Sequence, residues 1–111
     1  MIEAVIQPYD IKVFYFKDKD KMGRFLLKKF NEDDSQMLNI TDGRCLYLQH
    51  ETMGVNIVIG VFNDKMDTLT HECNHAILFL FQEHGLNPFD SMGEHFCYLH
   101  QKLFKDLIEG K

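Results

Sequence analysis

The sequence predicts a single α+β domain over residues 1–111, with its elements in the order β-α-β-β-α-α. Three segments are rich in β-branched and aromatic residues, and three others carry apolar residues at helical spacing. No repeat, low-complexity tract or Pro/Gly-rich linker divides the chain. We therefore expect a three-stranded sheet that packs one face against the helices.

The first predicted strand covers Lys12 to Phe16, where β-branched and aromatic side chains follow one another. Asp18 is placed to cap a helix over about Lys19 to Phe30, whose apolar residues lie near one face. The polar run from Asn31 to Gln36 is expected to be a surface loop. One helix therefore separates the first strand from the other two.

Two further strands, Arg44 to His50 and Val55 to Phe62, are joined through Glu51 to Gly54 and predict a hairpin. Gly54 tolerates a positive φ at this turn. Gly60, inside the second strand, indicates a bulge or a close approach by another group. The second strand is also a candidate edge to which an extended peptide could add by β-augmentation.

Two helices complete the predicted fold. The first is expected to begin at a cap formed by Asp64 or Asp67 and to stop at Gly85. The second is expected to begin at a cap formed by Asp90 or Ser91 and to run almost to the last residue. A short loop joins them, so they are predicted to be antiparallel neighbours.

Composition and charge exclude several function classes. The net charge of -5 argues against general affinity for nucleic acid or anionic lipid. Met1 to Asp10 lacks the basic flank and apolar run of a signal peptide, and the longest apolar run, Ala76 to Phe81, is far too short to span a bilayer. The 3 cysteines are odd in number and lie inside predicted elements, which indicates reduced thiols. We expect a cytoplasmic protein.

The most informative segment is an HExxH motif formed by His71, Glu72 and His75 on the first of the two final helices. Residues i and i+4 lie about 40° apart around a helix, so both imidazoles face one side, one turn apart. That spacing suits two nitrogens on one Zn²⁺ at roughly 2.0–2.1 Å each. Glu72 would stand beside the metal, where it can take a proton from the attacking water.

The alternative to a metal site is an amphipathic helix whose two histidines happen to share an exposed or satisfied face. The apolar stripe of this helix lies opposite them and comprises Leu69, Cys73, Ile77 and Leu80. The helix therefore does not need the two imidazoles for packing, and we favour the metal site.

A third ligand must come from another part of the fold. The metzincin continuation requires Gly three residues and His six residues after the motif. Those positions hold Leu78 and Phe81, so that class is excluded. A carboxylate or a histidine on the next helix is the remaining route.

Glu94, in the first turn of the next helix, is the leading candidate for the third ligand. It reaches the histidines only if the two helices cross steeply. Ser91-x-x-Glu94 is also a capping box, which would give the carboxylate a structural role. His95 and His100 are the fallback ligands, and Asp90 is a more remote one.

Tyr98 lies one helical turn after Glu94 and shares its face. Its phenol is a candidate donor to the oxyanion of a tetrahedral intermediate, although an ordinary half-buried tyrosine is the explanation that we favour. His84 is predicted to face away from the motif, and His50 is predicted to be a solvated strand-end residue.

The segment resembles the gluzincin branch of HExxH metallopeptidases and, more closely, small zincin-like proteins encoded by bacteriophages and prophages. The residues around the motif carry no charge, as in zincin peptidases. The matching positions are His71-Glu72-x-x-His75, then Gly85, Asp90, Glu94-x-x-Cys97-Tyr98 and Leu103. The resemblance covers about residues 55–108, and it departs from the pattern at Cys97, where Ala is usual.

The resemblance implies a minimal zincin-like domain, in which the sheet packs on an active-site helix and a glutamate helix. His71, His75 and Glu94 would hold zinc, and Glu72 would be the catalytic residue. It implies a zinc-dependent metallopeptidase of narrow specificity, acting on a protein or peptide. The alternative is a non-enzymatic phage accessory or inhibitor protein with a structural zinc site. Neither the target nor the oligomeric state is predicted.

Overall fold

The computed structural model describes residues 1–110. Within these residues the chain forms a four-stranded sheet, four α-helices and a short 3₁₀ turn, which confirms the α+β class. The elements are β1 (Ile2–Ile6), β2 (Ile11–Phe16), α1 (Lys19–Phe30), α2 (Ser35–Leu38), β3 (Gly43–His50), β4 (Gly54–Val61), α3 (Met66–Glu83), the 3₁₀ turn (Asp90–Gly93) and α4 (Glu94–Glu109).

The sheet is mixed, with the strand order β1-β2-β4-β3. β1 and β3 pair antiparallel with β2 and β4, whereas β2 and β4 pair parallel to each other. The prediction that Val55 to Phe62 offers an edge is therefore wrong, because β4 pairs on both sides. Asn56 to Val61 are all buried, as a central strand requires. The edge next to β4 is β3.

The fourth strand, β1, was not predicted, and the three-stranded sheet is corrected accordingly. β1 has 5 residues, of which Ala4 and Ile6 are buried while Glu3 and Val5 are exposed. A strand this short, half covered at a sheet edge, gives little apolar signal in the sequence. Including the short helix α2, the order becomes β-β-α-α-β-β-α-α.

Helices cover both faces of the sheet, whereas one covered face was predicted. The larger core lies between the sheet, α3 and α4, and the smaller one lies between the sheet and α1 with α2. β2 shows the reason, since Val13 and Tyr15 enter the larger core while Phe14 and Phe16 enter the smaller one. Its aromatic residues serve two cores, so the helices divide between two layers.

Local signals at the first helix and at the hairpin are confirmed. The Asp18 carboxylate accepts a hydrogen bond from Lys21 N at 3.1 Å, as an N-cap should. Gly54 has a φ of +71° at the hairpin turn. A side chain on Gly60 would collide with Phe62 and Met22, which confirms a close approach at that position.

The starts of the last two helices differ from the prediction. α3 begins after Lys65, and no side chain caps its first turn. α4 begins after Gly93, whose φ is +78°, and no side chain caps it either. Ser91 and Met92 have φ values of 54° and 59°, so Ser91 lies outside the helix and the predicted capping box with Glu94 does not form.

α3 places the candidate site. Over its 18 residues it buries Leu69, Cys73 and Leu80 against the sheet, and it exposes His71 and His75 on another side.

Among residues 1–110, no helix combines the length and the apolar character needed to cross a bilayer.

Candidate metal centre

His71 and His75 form a close imidazole pair on the exposed side of α3. Their Nε2 atoms lie 3.2 Å apart, and their ring centroids are separated by 4.8 Å with the planes at 79°. Both side chains are exposed, so the pair faces solvent. The predicted convergence of the two imidazoles on one side of the helix is confirmed.

The spacing of the two nitrogens fits a shared metal ion. Two nitrogens bound at roughly 2.0–2.1 Å to a tetrahedral zinc lie about 3.3–3.4 Å from each other. The 3.2 Å between His71 Nε2 and His75 Nε2 is close to that value. The same distance also fits a hydrogen bond between two neutral imidazoles, one of which donates from Nε2. Geometry at the pair is thus compatible with zinc without requiring it.

Glu72 lies beside the pair with a buried side chain, 6% exposed. Burial raises the pKa of this carboxyl above its ordinary value, and the neighbouring charges of His71, His75 and Arg44 partly oppose the shift. A general base works best when its pKa approaches the working pH. Burial therefore shifts the pKa of Glu72 in the direction that a general base requires.

A cavity of about 300 Å³ lies between α3 and the start of β3, open to solvent. It brings together His71, Glu72 and His75, as the motif predicts. The remaining lining residues come from β3, from the segment before it, and from α3, and they are Met37, Thr41, Gly43, Arg44, Cys45 and Phe79. The motif thus lies in a cleft beside the edge strand of the sheet.

Arg44 is the charged wall of this cavity. Its Nε and Nη2 donate to the two oxygens of Asp34 at 2.8 and 2.9 Å. The Asp34 side chain is only 7% exposed, so this bidentate pair is well shielded from water. The pair fixes the segment before α2 against β3. That segment leads to Met37 and Thr41, which also line the cavity.

Sequence reasoning missed these wall residues. Arg44 was assigned only as the first residue of a strand, and neither Gly43 nor Met37 was singled out. Proximity to a motif some 30 positions later depends on strand order, which the local pattern does not encode. The only relevant sequence feature was an arginine, Arg44, at the start of a strand and ten residues after Asp34, with which it pairs.

The helix α4, which begins at Glu94, packs on a different flank of α3 from the histidine pair. α4 packs along the flank that carries Phe81 and Thr70, where the Phe81 and Phe96 rings are 5.6 Å apart and His100 Nε2 lies 3.3 Å from the Thr70 carbonyl oxygen. Glu94 itself is exposed at the start of α4. In residues 1–110, no three or more His, Cys, Asp and Glu side chains gather around a potential metal position.

The fallback ligands are engaged elsewhere. His95 Nε2 is 2.8 Å from the Tyr9 hydroxyl, at the turn between β1 and β2. His100 contacts the α3 backbone at Thr70, and its ring stacks between Phe96 and Phe104. The structure therefore does not bring these histidines to His71 and His75. Asp90 is exposed in the 3₁₀ turn.

Tyr98 is 62% exposed on α4 and does not line the cavity. It is neither placed to contact a group bound between His71 and His75 nor half-buried, as the simpler explanation supposed. His84 lies away from the cavity, with Nδ1 2.9 Å from the Leu80 carbonyl oxygen. His50 is the last residue of β3, as predicted, and is half-buried; its Nδ1 accepts from the backbone N–H of Thr52 in the hairpin turn at 3.1 Å.

The cysteines are free thiols in the described residues. Cys73 is fully buried and faces the sheet, away from the histidine pair, as predicted. Burial raises the pKa of Cys73 to about 12 and raises that of Cys45 further. Both therefore remain protonated near neutral pH, a state in which a thiol is a poor metal ligand.

Comparison of the chain with family models, with curated proteins and with solved structures finds no match. The resemblance to small zincin-like proteins consequently depends on the motif residues alone.

Proposed function

We propose that this chain is a minimal zinc-dependent metallopeptidase, with His71 and His75 as metal ligands and Glu72 as general base. One observation carries the proposal. The two Nε2 atoms lie 3.2 Å apart, and the Glu72 side chain borders the same cavity. A chance pair of surface histidines would not require a buried carboxylate in the wall of the same cavity.

The chemistry divides between the metal and the protein. A bound zinc ion would supply Lewis acidity to the carbonyl of the scissile bond. Glu72 would accept a proton from the attacking water and pass it to the leaving amine, which is the usual work of a general base that becomes a general acid. Burial raises the pKa of Glu72, which makes the carboxylate a stronger base for the first transfer.

The donor set fits zinc only in part. Two imidazoles are in place, whereas a catalytic zinc site normally has three protein ligands. Glu94 stays the proposed third ligand because of the resemblance. Its helix, α4, packs on another flank of α3, which gives that assignment no support. If Glu94 does not bind, the ion would have two protein ligands and would be held weakly.

The edge strand β3 supports a peptide as the substrate. β3 pairs with β4 along one side, and its first residues, Gly43 to Cys45, line the cavity. An extended peptide that adds to the free side of β3 would pass next to His71 and His75. This arrangement replaces the edge first predicted at β4.

The alternative is a non-enzymatic accessory protein with a structural zinc. Structural zinc sites are closed by four protein ligands. Here both imidazoles are exposed at the mouth of an open cavity, which favours a site that receives a further molecule. The enzyme is therefore the better supported of the two.

Terminal labelling of a peptide library with mass-spectrometric readout tests the proposal. The zinc-loaded chain should create new peptide termini, and Glu72→Gln should create none while keeping its zinc. Glu83→Gln, on the exposed side of the same helix, is the matched control and should behave as the native chain. Equal cleavage by the native chain and Glu72→Gln, or no cleavage by either, would refute the peptidase and leave the accessory protein.

A further inference from the structure

Gly43, the first residue of β3, lies directly against the carboxylate of Glu72. A Cβ placed on Gly43 would be 2.6 Å from Glu72 Oε2 and 2.7 Å from Thr68 Cγ2. Non-bonded carbon contacts have their optimum near 3.5–4.0 Å, so a side chain at position 43 is incompatible with the present place of Glu72. The carboxylate occupies volume that the glycine leaves empty.

The glycine is needed for space and not for backbone conformation. The positive-φ glycines of the described residues are Gly54, Gly85, Gly93 and Gly110, and Gly43 is not among them. Alanine would therefore suit the backbone of β3 at this position. Any effect of a side chain here comes from the neighbours that it meets.

Of those neighbours, Glu72 is the one that can move. Thr68 Oγ1 accepts a hydrogen bond from Asn63 Nδ2 at 2.9 Å, and its β-branched side chain is stiff. The strand is also held, since the Thr41 hydroxyl donates to the Gly43 carbonyl oxygen at 2.5 Å and accepts from its N–H at 3.3 Å. The carboxylate ends a flexible chain and would be displaced first.

We propose that Gly43 is a positioning residue for Glu72, because the missing side chain at this point of the edge strand keeps the carboxylate beside His71 and His75. The role of Glu72 as a base rests on the proposed function. The spatial coupling of residues 43 and 72 does not, and it can be measured on the metal-free chain.

A double-mutant cycle in urea unfolding tests the coupling. All proteins carry Thr68→Ser, which removes the methyl group and keeps the hydroxyl that Asn63 binds. Gly43→Ala should lower the urea midpoint when Glu72 is present, and most of that loss should disappear with Glu72→Ala. Gly23→Ala is the matched control, because its Cβ would meet only Leu38 Cδ1 at an ordinary 3.5 Å. Its effect should be the same with or without Glu72→Ala.

A second readout separates positioning from general stability. A crystal structure of Gly43→Ala should show the Glu72 carboxylate displaced and the imidazoles of His71 and His75 unmoved. If Gly43→Ala alone does not fold, refolding on addition of Glu72→Ala supports the coupling. An equal loss in both backgrounds, or an unmoved carboxylate, overturns it. Coupling without zinc binding would contradict the proposed function alone, and zinc binding without coupling would contradict only the role of Gly43.

Discussion

Arg44 holds Asp34 through two parallel hydrogen bonds of 2.8 and 2.9 Å, from Nε and Nη2 to the two carboxylate oxygens. The pair links the edge strand β3 to the residue that precedes α2. Met37 and Thr41, which line the cavity beside the histidine pair, lie in the segment between them. Arg44 thus has a structural partner in Asp34. Burial raises the pKa of Glu72 on the other side, and the charge of Arg44 opposes part of that rise.

Asp34→Ala is expected to lower the free energy of unfolding by about 2 kcal/mol, because it leaves a shielded guanidinium without its charged partner. Urea denaturation measures the change. Glu3→Ala is the control, since its 3.8 Å pair with Lys12 is about half exposed and should contribute about 0.5 kcal/mol or less. Equal effects of the two substitutions would mean that the Asp34 pair is not shielded as described.

Adjacent residues of β1 test the strand that was not predicted. Ile6 is 5% exposed and Val5 is 37% exposed, although they are neighbours in the chain. Ile6→Ala should cost about 2–4 kcal/mol of unfolding free energy, whereas Val5→Ala should cost less than about 1 kcal/mol. Similar costs for both would show that β1 does not pack on the sheet in this register.

Thiol labelling should distinguish the three cysteines. Cys97 is exposed on α4, Cys73 is fully buried, and Cys45 is half-buried where it lines the cavity; Cys45 and Cys73 have raised pKa values. The thiolate is the reactive form, so at pH 8 a disulfide reagent should label Cys97 rapidly, Cys45 much more slowly, and Cys73 only on unfolding. Cys97→Ser should abolish the rapid phase. Three equal rates in the native protein would contradict the burial of Cys73 and the raised pKa of Cys45.

Glu72→Gln should stabilise the metal-free chain at pH 8. Burial raises the folded-state pKa of Glu72, so the folded chain binds more protons than the unfolded chain between the ordinary and the raised values. The contribution of Glu72 to stability is therefore present below about pH 4.3 and is lost as the pH rises through the raised pKa. The advantage of Gln should shrink as the pH falls from 8 towards 4.5. We would follow it by urea denaturation across that range.

The exposed carboxylate of Glu83 on the same helix supplies the comparison for this titration. Glu83→Gln should change stability by a similar amount at both ends of the pH range. A Glu72→Gln chain that is less stable than native at pH 8 would mean that the carboxylate is stabilised in place by a partner that outweighs its burial.

Strong local signals were sufficient for much of the fold. The periodicity of α1 and α3, the Asp18 cap and the β3–β4 hairpin all follow from neighbouring residues. β1 was missed because a strand of 5 residues at a sheet edge, with only Ala4 and Ile6 buried, carries too little apolar contrast. α2 has only 4 residues and begins in a run that was predicted as a loop.

At the site, the sequence was sufficient to predict the relative positions of residues that lie on one helix. The convergence of His71 and His75 follows from helical spacing, and so does the placement of Glu72 next to them. Gly43 and Arg44 reach the same cavity only because β3 lies at the edge beside α3, and this depends on the pairing of distant strands. The flank on which α4 packs is likewise a tertiary property, which is why Glu94 could be placed on a helix but not at the histidines.

Zinc binding by the native chain, purified without a His tag, tests the central claim most directly. Competition with a chromogenic chelator would give the affinity, and elemental analysis would give the amount bound. We predict about one zinc per chain, with binding lost in His71→Ala and in His75→Ala. His84→Ala is the control and should keep its zinc, because His84 lies at the C-terminal end of α3, away from the cavity. A lower zinc affinity of Glu94→Ala would identify Glu94 as the third ligand. A native chain that binds no zinc, or zinc held equally well by His71→Ala and His75→Ala, would contradict the metal centre.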